Sequence, residues 1–216
     1  AVPRSLPRHF YRRHTVDVAR DLLGCEIWVR HAGESPRRGR IVEVEAYRGP
    51  EDRAAHSAGG RRTPRNEVMW GPEGRLYVYF VYGMHHCANV VAAREGIPEA
   101  VLLRALEPLE GVEIMRRRRR RKVPAEHLLR GPACLCKGMG IDRRHNGTVL
   151  SRGPLRILDA PAIPAGRIAR TPRIGVGYAG EHASRPWRFF VRGNVSVSGP
   201  VSKNLPARPS GKRQPS

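Results

Sequence analysis

Acidic residues are scarce in this chain of 216 residues: 19 Asp and Glu stand against 40 Lys and Arg, leaving a formal net charge of +21. An excess of that size goes beyond what solubility needs and favours a polyanionic partner, nucleic acid foremost. Cysteine is sparse as well. The four thiols, Cys25, Cys87, Cys134 and Cys136, are too few for the framework of a disulfide-stabilised secreted domain. Cys134 and Cys136 sit one residue apart with no second Cys or His pair at a repeated spacing, so a zinc site is poorly supported. No apolar run nears the roughly 20 residues that span a bilayer. The Pro/Arg-rich start, Ala1 to His9, lacks the apolar segment of a secretory signal. The expectation is an intracellular protein with reduced thiols and no membrane insertion. Aromatic residues make up only 6% of the chain, so a cluster of them calls for an explanation.

What is present fits one domain, since domains run to about 150 residues and a chain with 40% apolar residues can bury a core of its own. Residues 1–9 are expected to form a flexible tail, 10–202 the domain, and 203–216, rich in Pro, Ser and cations, a disordered tail. Val16, Val18, Ala19, Leu22 and Leu23 recur at near-helical spacing between Thr15, a candidate cap, and Gly24. Cys25 to Val29 and Gly39 to Tyr47 alternate as paired strands around a turn at Gly33 to Pro36. Gly49 to Arg65 reads as an exposed loop with at most a short helix near Glu51 to His56. Arg75 to Ala93 is the strongest strand signal, broken by Gly83-Met84 as a type II′ hairpin turn. Ala100 to Ala105 is another apolar run, with a helix expected from Leu109 onward. Leu155 to Leu158 and Trp187 to Arg192 complete the strand candidates. The seven cations Arg116 to Lys122 cannot all face a core; a solvated face, a mobile loop and a phosphate contact all remain open.

Two patterns bear on chemistry. Gly175-Val-Gly-Tyr-Ala-Gly180 satisfies the dinucleotide-binding fingerprint, but no long buried strand precedes it and no acid follows at about twenty residues to hold a ribose, so its glycines are read as serving turns and close packing. Alternation along Ile41 to Tyr47 puts Glu43 and Glu45 on one face and Val42 and Val44 on the other. Such acids serve either as structural ion pairs or as a general base or metal ligand. Tyr47, His56 and the aromatic run Tyr77 to Tyr82 tilt the balance, because an acid, a histidine and several tyrosines in a strongly positive protein are parts for handling a nucleobase. Sheet packing accounts for Tyr77.

Glu43-Val-Glu-Ala-Tyr-Arg-Gly-Pro-Glu-Asp-Arg-Ala-Ala-His56, Thr63-Pro-Arg-Asn66, Leu76-Tyr-Val-Tyr-Phe-Val-Tyr-Gly-Met84 and Val101-Leu-Leu-Arg-Ala-Leu-Glu-Pro-Leu-Glu-Gly111, in that order, resemble the alkyladenine, or 3-methyladenine, DNA glycosylases. The resemblance runs from about Phe10 to Gly193 and includes Gly131-Pro132 and the segment from Arg173. It implies an α+β fold: a single domain with a curved, largely antiparallel sheet, flanking helices and a protruding hairpin. It also implies a monomer acting on double-stranded DNA that contains damaged purines, without metal or cofactor; with water as the expected nucleophile and no lysine near these motifs, Lys122 and Lys137 being the nearest, no strand-cleaving lyase activity is expected. Glu45 resembles the base that activates a water, with Arg104 and the backbone carbonyl of Ile174 as the other groups holding that water. Tyr47, His56 and Tyr79 resemble the walls around a flipped base, and Asn89 the residue that discriminates at the pocket floor. Tyr82, flanked by Met84 and His85, resembles the wedge that enters the DNA. Where relatives carry Lys or Asn after Gly131-Pro132-Ala133, this chain has Cys134, and His85 stands where some have Tyr.

Elementary chemistry agrees with these roles. An alkylated purine such as 3-methyladenine is cationic, so aromatic faces hold it through a cation–π attraction of roughly 0.5–2 kcal/mol, and the same charge makes it a good leaving group. Two rival readings make different demands. A noncatalytic nucleic-acid-binding protein has no use for Glu45, and a metal-dependent nuclease would gather Glu43, Glu45 and His56 around an ion.

Overall fold

Among the described residues every strand pairing is antiparallel, and two long strands organise the rest. A computed structural model describes residues 4–199; the tail expected over 203–216 lies outside the described residues. Strands β2 (Arg37–Tyr47) and β5 (Glu99–Glu110) pair from Arg38 opposite Glu110 to Tyr47 opposite Ala100. Outward from β5 lie β4 (His85–Ala92) and β3 (Leu76–Val81); outward from β2 lie β1 (Glu26–Val29) and β6 (Leu155–Leu158). The free edge of β2 changes partner along its length. Arg37 to Arg40 pair with β1, whereas Glu43 to Glu45 pair with β8 (Arg188–Val191), which pairs onward with β7 (Ile168–Thr171). Register shifts against β5 between Ile41 and Val44 mark the change. Bulges bend a strand and increase its twist, which lets β2 leave one neighbour and take another. Both acids therefore sit on the bent stretch of a curved sheet.

The alternation expected along β2 holds. Val42 and Val44 enter the main apolar core with Leu103 and Phe189, while Glu43 and Glu45 meet Arg104 on the other side of the strand. Helix α2 (Thr15–Leu22) closes the core with Val18, Ala19 and Leu22, and α4 (Pro132–Met139) with Leu135, Cys136 and Met139. The fold is α+β, with a single sheet-centred domain and few helices, as expected.

Several boundaries differ from expectation. The N-terminal segment departs from a flexible tail from Arg4 onward. Ser5 bridges Leu158, Leu6 is buried, and α1 (Arg8–Tyr11) lowers Tyr11 into the core. Thr15 is not the cap of α2: His14 holds that position, and Thr15 is buried with its hydroxyl donating to Glu99. The helix expected from Leu109 starts at Val112, because the chain stays extended through Pro108, which lies opposite Gly39 beside a register shift where its missing N–H is tolerated. Gly111 makes the junction between β5 and α3 (Val112–Arg119): its φ is +74°, and a Cβ there would lie 2.6 Å from the Pro36 carbonyl oxygen. The β3–β4 turn is centred on Tyr82 and Gly83, with φ of 51° and 67°, not on Gly83 and Met84. Positive φ at both central residues excludes the type II′ turn.

Candidate active site

Strands β2, β3, β4 and β5, the 49–65 loop and the short 3₁₀ segments at 67–70 and 177–184 form a cavity lined by Tyr47, Ala54, His56, Met69, Tyr77, Tyr79, Asn89, Ala100 and Tyr178. Its lining is mostly aromatic and apolar with a few polar groups, His56, Asn89 and the tyrosine hydroxyls, the kind of surface that holds a planar ring. All four residues expected as pocket walls and floor, Tyr47, His56, Tyr79 and Asn89, line this one cavity. The His56 ring stands edge-on to Tyr79 with centroids 4.4 Å apart, and its Nδ1 lies 3.0 Å from the Tyr77 hydroxyl. Asn89, opposite Tyr77 in the β3–β4 register, is buried and donates from Nδ2 to the Tyr77 carbonyl at 3.2 Å.

The 49–65 loop is carried to the cavity by two side chains that satisfy its backbone. Asp52 accepts from the N–H groups of Arg48 and Ala54, both at 3.1 Å. Asn66 accepts from the Thr63 N–H at 2.8 Å and donates to the carbonyls of His56 at 3.0 Å and Arg61 at 2.9 Å. In place of a helix over Glu51 to His56, short 3₁₀ turns cover Gly49–Glu51 and Ala58–Gly60.

Behind Tyr47 lies Glu45, fully buried and surrounded by donors. Its Oε1 accepts from the Ile174 N–H at 2.7 Å; its Oε2 accepts from the Tyr47 hydroxyl at 2.9 Å and lies 3.3 Å from Arg104. The Ile174 group that meets the carboxylate is thus the amide N–H. Glu43 has a different environment. It accepts from Arg104 Nε at 3.0 Å, Arg188 Nε at 2.7 Å, and the N–H and hydroxyl of Ser198 at 2.7 and 2.8 Å. The three acceptor candidates of a metal-dependent nuclease are therefore apart in role: Glu43 belongs to a buried ion-pair network and His56 to the aromatic wall. Among the described residues no group of three or more His, Cys, Asp or Glu side chains is placed to hold a metal ion.

Burial sets the protonation of the walls. The Tyr47 hydroxyl is pushed well above the usual phenol range by burial and then by Glu45, so it stays a donor to that carboxylate. Burial, reinforced by Arg65, pushes His56 down to about 4. His56 is therefore neutral in the folded protein at pH 5–6, whereas in the unfolded chain it takes up a proton near 6.5. The folded state binds fewer protons between those values, so this group's contribution to stability is intact above about pH 6.5 and is lost progressively as pH falls toward 4, at up to about 1.4 kcal/mol per pH unit. Urea unfolding between pH 7 and 4 is expected to show this slope in the unsubstituted protein and a flatter one in His56→Gln.

The hairpin residues lie apart from the cavity lining. Tyr82 is 88% exposed, Met84 68% exposed, and His85 exposed as well. Two further tyrosines, to which the sequence did not point, line the cavity. Tyr77 is more than sheet packing, since it lines the cavity and meets His56. Tyr178, mostly exposed at the cavity, lies inside the Gly175 to Gly180 motif, which opens a 3₁₀ segment over Gly177–Ser184; a tyrosine amid turn glycines was the available signal. A second depression, sharing His56 and Tyr178 with the cavity, is lined by Arg53, Arg61 and Arg65, none of which had been singled out. The 116–122 run is part helix and part loop: Arg118 pairs with Glu34 at 2.9 Å and Arg116 donates to the Val123 carbonyl, while Arg117, Arg120, Arg121 and Lys122 are exposed.

Comparison with known proteins agrees with this geometry. Residues 9–195 match the model of the family described as methylpurine-DNA glycosylase (MPG). Among curated proteins, the chain is 45% identical over 201 residues to one from Clostridium acetobutylicum, covering 90% of this chain and 97% of that one. It is 48% identical over 198 residues to one from Anaeromyxobacter dehalogenans, covering 91% and 88%, and 47% identical over 194 residues to one from Methanocella arvoryzae, covering 89% and 95%. All three are provisionally named 3-methyladenine DNA glycosylases. With a family match over nearly the whole described chain and relatives close to half identical along it, the protein belongs to the methylpurine-DNA glycosylase family.

Proposed function

We propose that this protein removes alkylated or deaminated purines from double-stranded DNA by hydrolysing the N-glycosidic bond. The single observation that carries this reading is the cavity between Tyr47 and Tyr79 with the buried Glu45 carboxylate behind one of its walls. A base inside a duplex cannot reach such a chamber, so the nucleotide must swing out of the stack, at a cost of a few kcal/mol that is least for a damaged or mispaired base. Tyr47 and Tyr79 then stack on the base, and a cationic lesion gains most from their faces. As the base departs with the bond electrons, the sugar becomes oxocarbenium-like. Glu45 stabilises that charge and takes a proton from the attacking water, which Arg104 and Ile174 help to hold. No lysine is among the cavity-lining residues, which supports water rather than an amine as the nucleophile and an abasic strand left uncut. The reaction so written needs neither metal nor cofactor, and the protein acts as a monomer on DNA inside the cell.

The exposed Tyr82 is the wedge that fills the space left by the flipped nucleotide, with Met84 and His85 beside it, and Arg53, Arg61 and Arg65 offer cations to the phosphates next to the chamber. Each phosphate neutralised contributes about 0.9 to the log–log salt slope. A tyrosine held at φ 51° pays roughly 1–2 kcal/mol in backbone strain. Tyr82→Gly is therefore expected to stabilise the fold by about 1 kcal/mol in urea unfolding while weakening retention of the flipped base. Retention of the flipped base that is unchanged in this variant would contradict the wedge assignment.

A panel of duplexes, each with one 3-methyladenine, 7-methylguanine, hypoxanthine or ethenoadenine and assayed with a chelator present, tests the reading. Free base should appear, with the strand intact until alkali is added. Strand cutting without base release, or activity abolished by the chelator, would overturn it.

A further inference from the structure

Arg173 is a fully buried cation that the chemistry above does not use. Its guanidinium carbon lies 4.7 Å from the centroid of the Tyr47 ring and 5.0 Å from that of Trp187. The side chain has no exposed surface and takes no part in lining the cavity, so it lies on the side of Tyr47 away from the open space. Asp52 holds it with two contacts, Nη1 to Oδ2 at 2.5 Å and Nη2 to Oδ1 at 2.9 Å. The carbonyls of Ala46 and His182 accept its remaining hydrogen bonds, at 2.9 and 3.1 Å. A cation behind a stacking ring acts on whatever stacks in front. Unpaired, it would repel a positively charged base through the ring and draw π density away from the face that must hold that base. Paired with Asp52, it keeps Tyr47 in place while its field is cancelled.

We propose that Asp52 is a specificity-determining residue that never touches the base: by neutralising Arg173 behind Tyr47, it allows the chamber to accept cationic lesions, and the charge balance of this pair sets the preference for charged over neutral damaged bases. The inference rests on the reading of the cavity as a base pocket. It differs from a merely structural role, because a weakened fold or a displaced Tyr47 slows release of every lesion alike, whereas a charge imbalance separates lesions by their charge.

The test is single-turnover base release, with protein in excess, from two otherwise identical duplexes, one carrying 7-methylguanine, a cation, and one carrying hypoxanthine, which is neutral. Asp52→Asn leaves the cation unpaired, and Asp52→Glu preserves the charge. The expected result is that 7-methylguanine release falls about tenfold further in Asp52→Asn than in Asp52→Glu, with hypoxanthine release equal in the two. Arg173→Gln, which leaves the anion instead, should move the ratio of 7-methylguanine to hypoxanthine release the opposite way, and this variant keeps the test open if Asp52→Asn does not fold. Equal losses on both duplexes, or shifts of the ratio in the same direction in Asp52→Asn and Arg173→Gln, would overturn the proposal. Release of neither base by the unsubstituted protein would instead defeat the pocket reading itself.

Discussion

Glu45→Gln is expected to lower the single-turnover rate of base release by about 10³-fold, the middle of the range for loss of a positioned general base, while affinity for the lesion-bearing duplex stays equal or rises. Glutamine matches the shape of the glutamate and still offers an oxygen to the Ile174 N–H, while Arg104 keeps Glu43 as its counter-charge; the Tyr47 hydroxyl, which donates to Glu45, must turn to another acceptor. In the proposed reaction, what would disappear is the acceptor for a proton from water and the negative charge facing the developing positive sugar. No phosphate contact is lost, since Glu45 is buried and repels DNA if it acts on it at all. Release kinetics and duplex affinity, measured on one preparation, separate the two effects. Excision that survives the substitution removes Glu45 from the mechanism.

Glu43→Ala, two residues away on the same strand face, has its effect on the fold. Four hydrogen bonds converge on that carboxylate, two of them from the buried Arg104 and Arg188. Removing one partner of a buried ion pair leaves cations without their counter-charge, at a cost of about 3–5 kcal/mol. For a domain of this size that is a fall in Tm of roughly 10 °C, readable by calorimetry. The Tm of Glu45→Gln should fall by less, since Arg104 keeps Glu43 as its counter-charge and the side-chain volume is unchanged. If Glu43→Ala kept its melting temperature, the division between a structural and a catalytic carboxylate would fail.

The sequence alone could not assign those two roles. Strand alternation put both acids on one face, because the period of two is a property of the backbone. The partners of Glu43 are far along the chain: Arg104 comes from β5, the long neighbour of β2, while Arg188, with Ser198 beyond it, arrives because the other edge of β2 changes partner to β8. The four wall residues were legible through resemblance and share one cavity. Tyr77 was hidden by its own strand, where a packed tyrosine and a pocket tyrosine leave the same pattern. Tyr178 sat in a glycine motif judged for phosphate binding rather than for the aromatic ring it carries. The boundary errors have a local cause: Pro108 looks like the end of a strand unless the partner Gly39 and its register shift are known, and Thr15 looks like a cap until Glu99 takes its hydroxyl. At the hairpin tip, a tyrosine adopts a conformation that favours glycine, so turn propensities pointed one residue too far along.

The proposed reaction joins two events, capture of an extrahelical base between tyrosines and its release through Glu45. Both are read in one measurement: the fluorescence of a single ethenoadenine in a duplex bound by the Glu45→Gln protein. A shift is expected from the signal of a base stacked in DNA to that of one lodged against Tyr47 and Tyr79, stable over time because the bond is not cleaved. A bound complex in which the base keeps its stacked signal, or free base accumulating with glutamine at position 45, would contradict it.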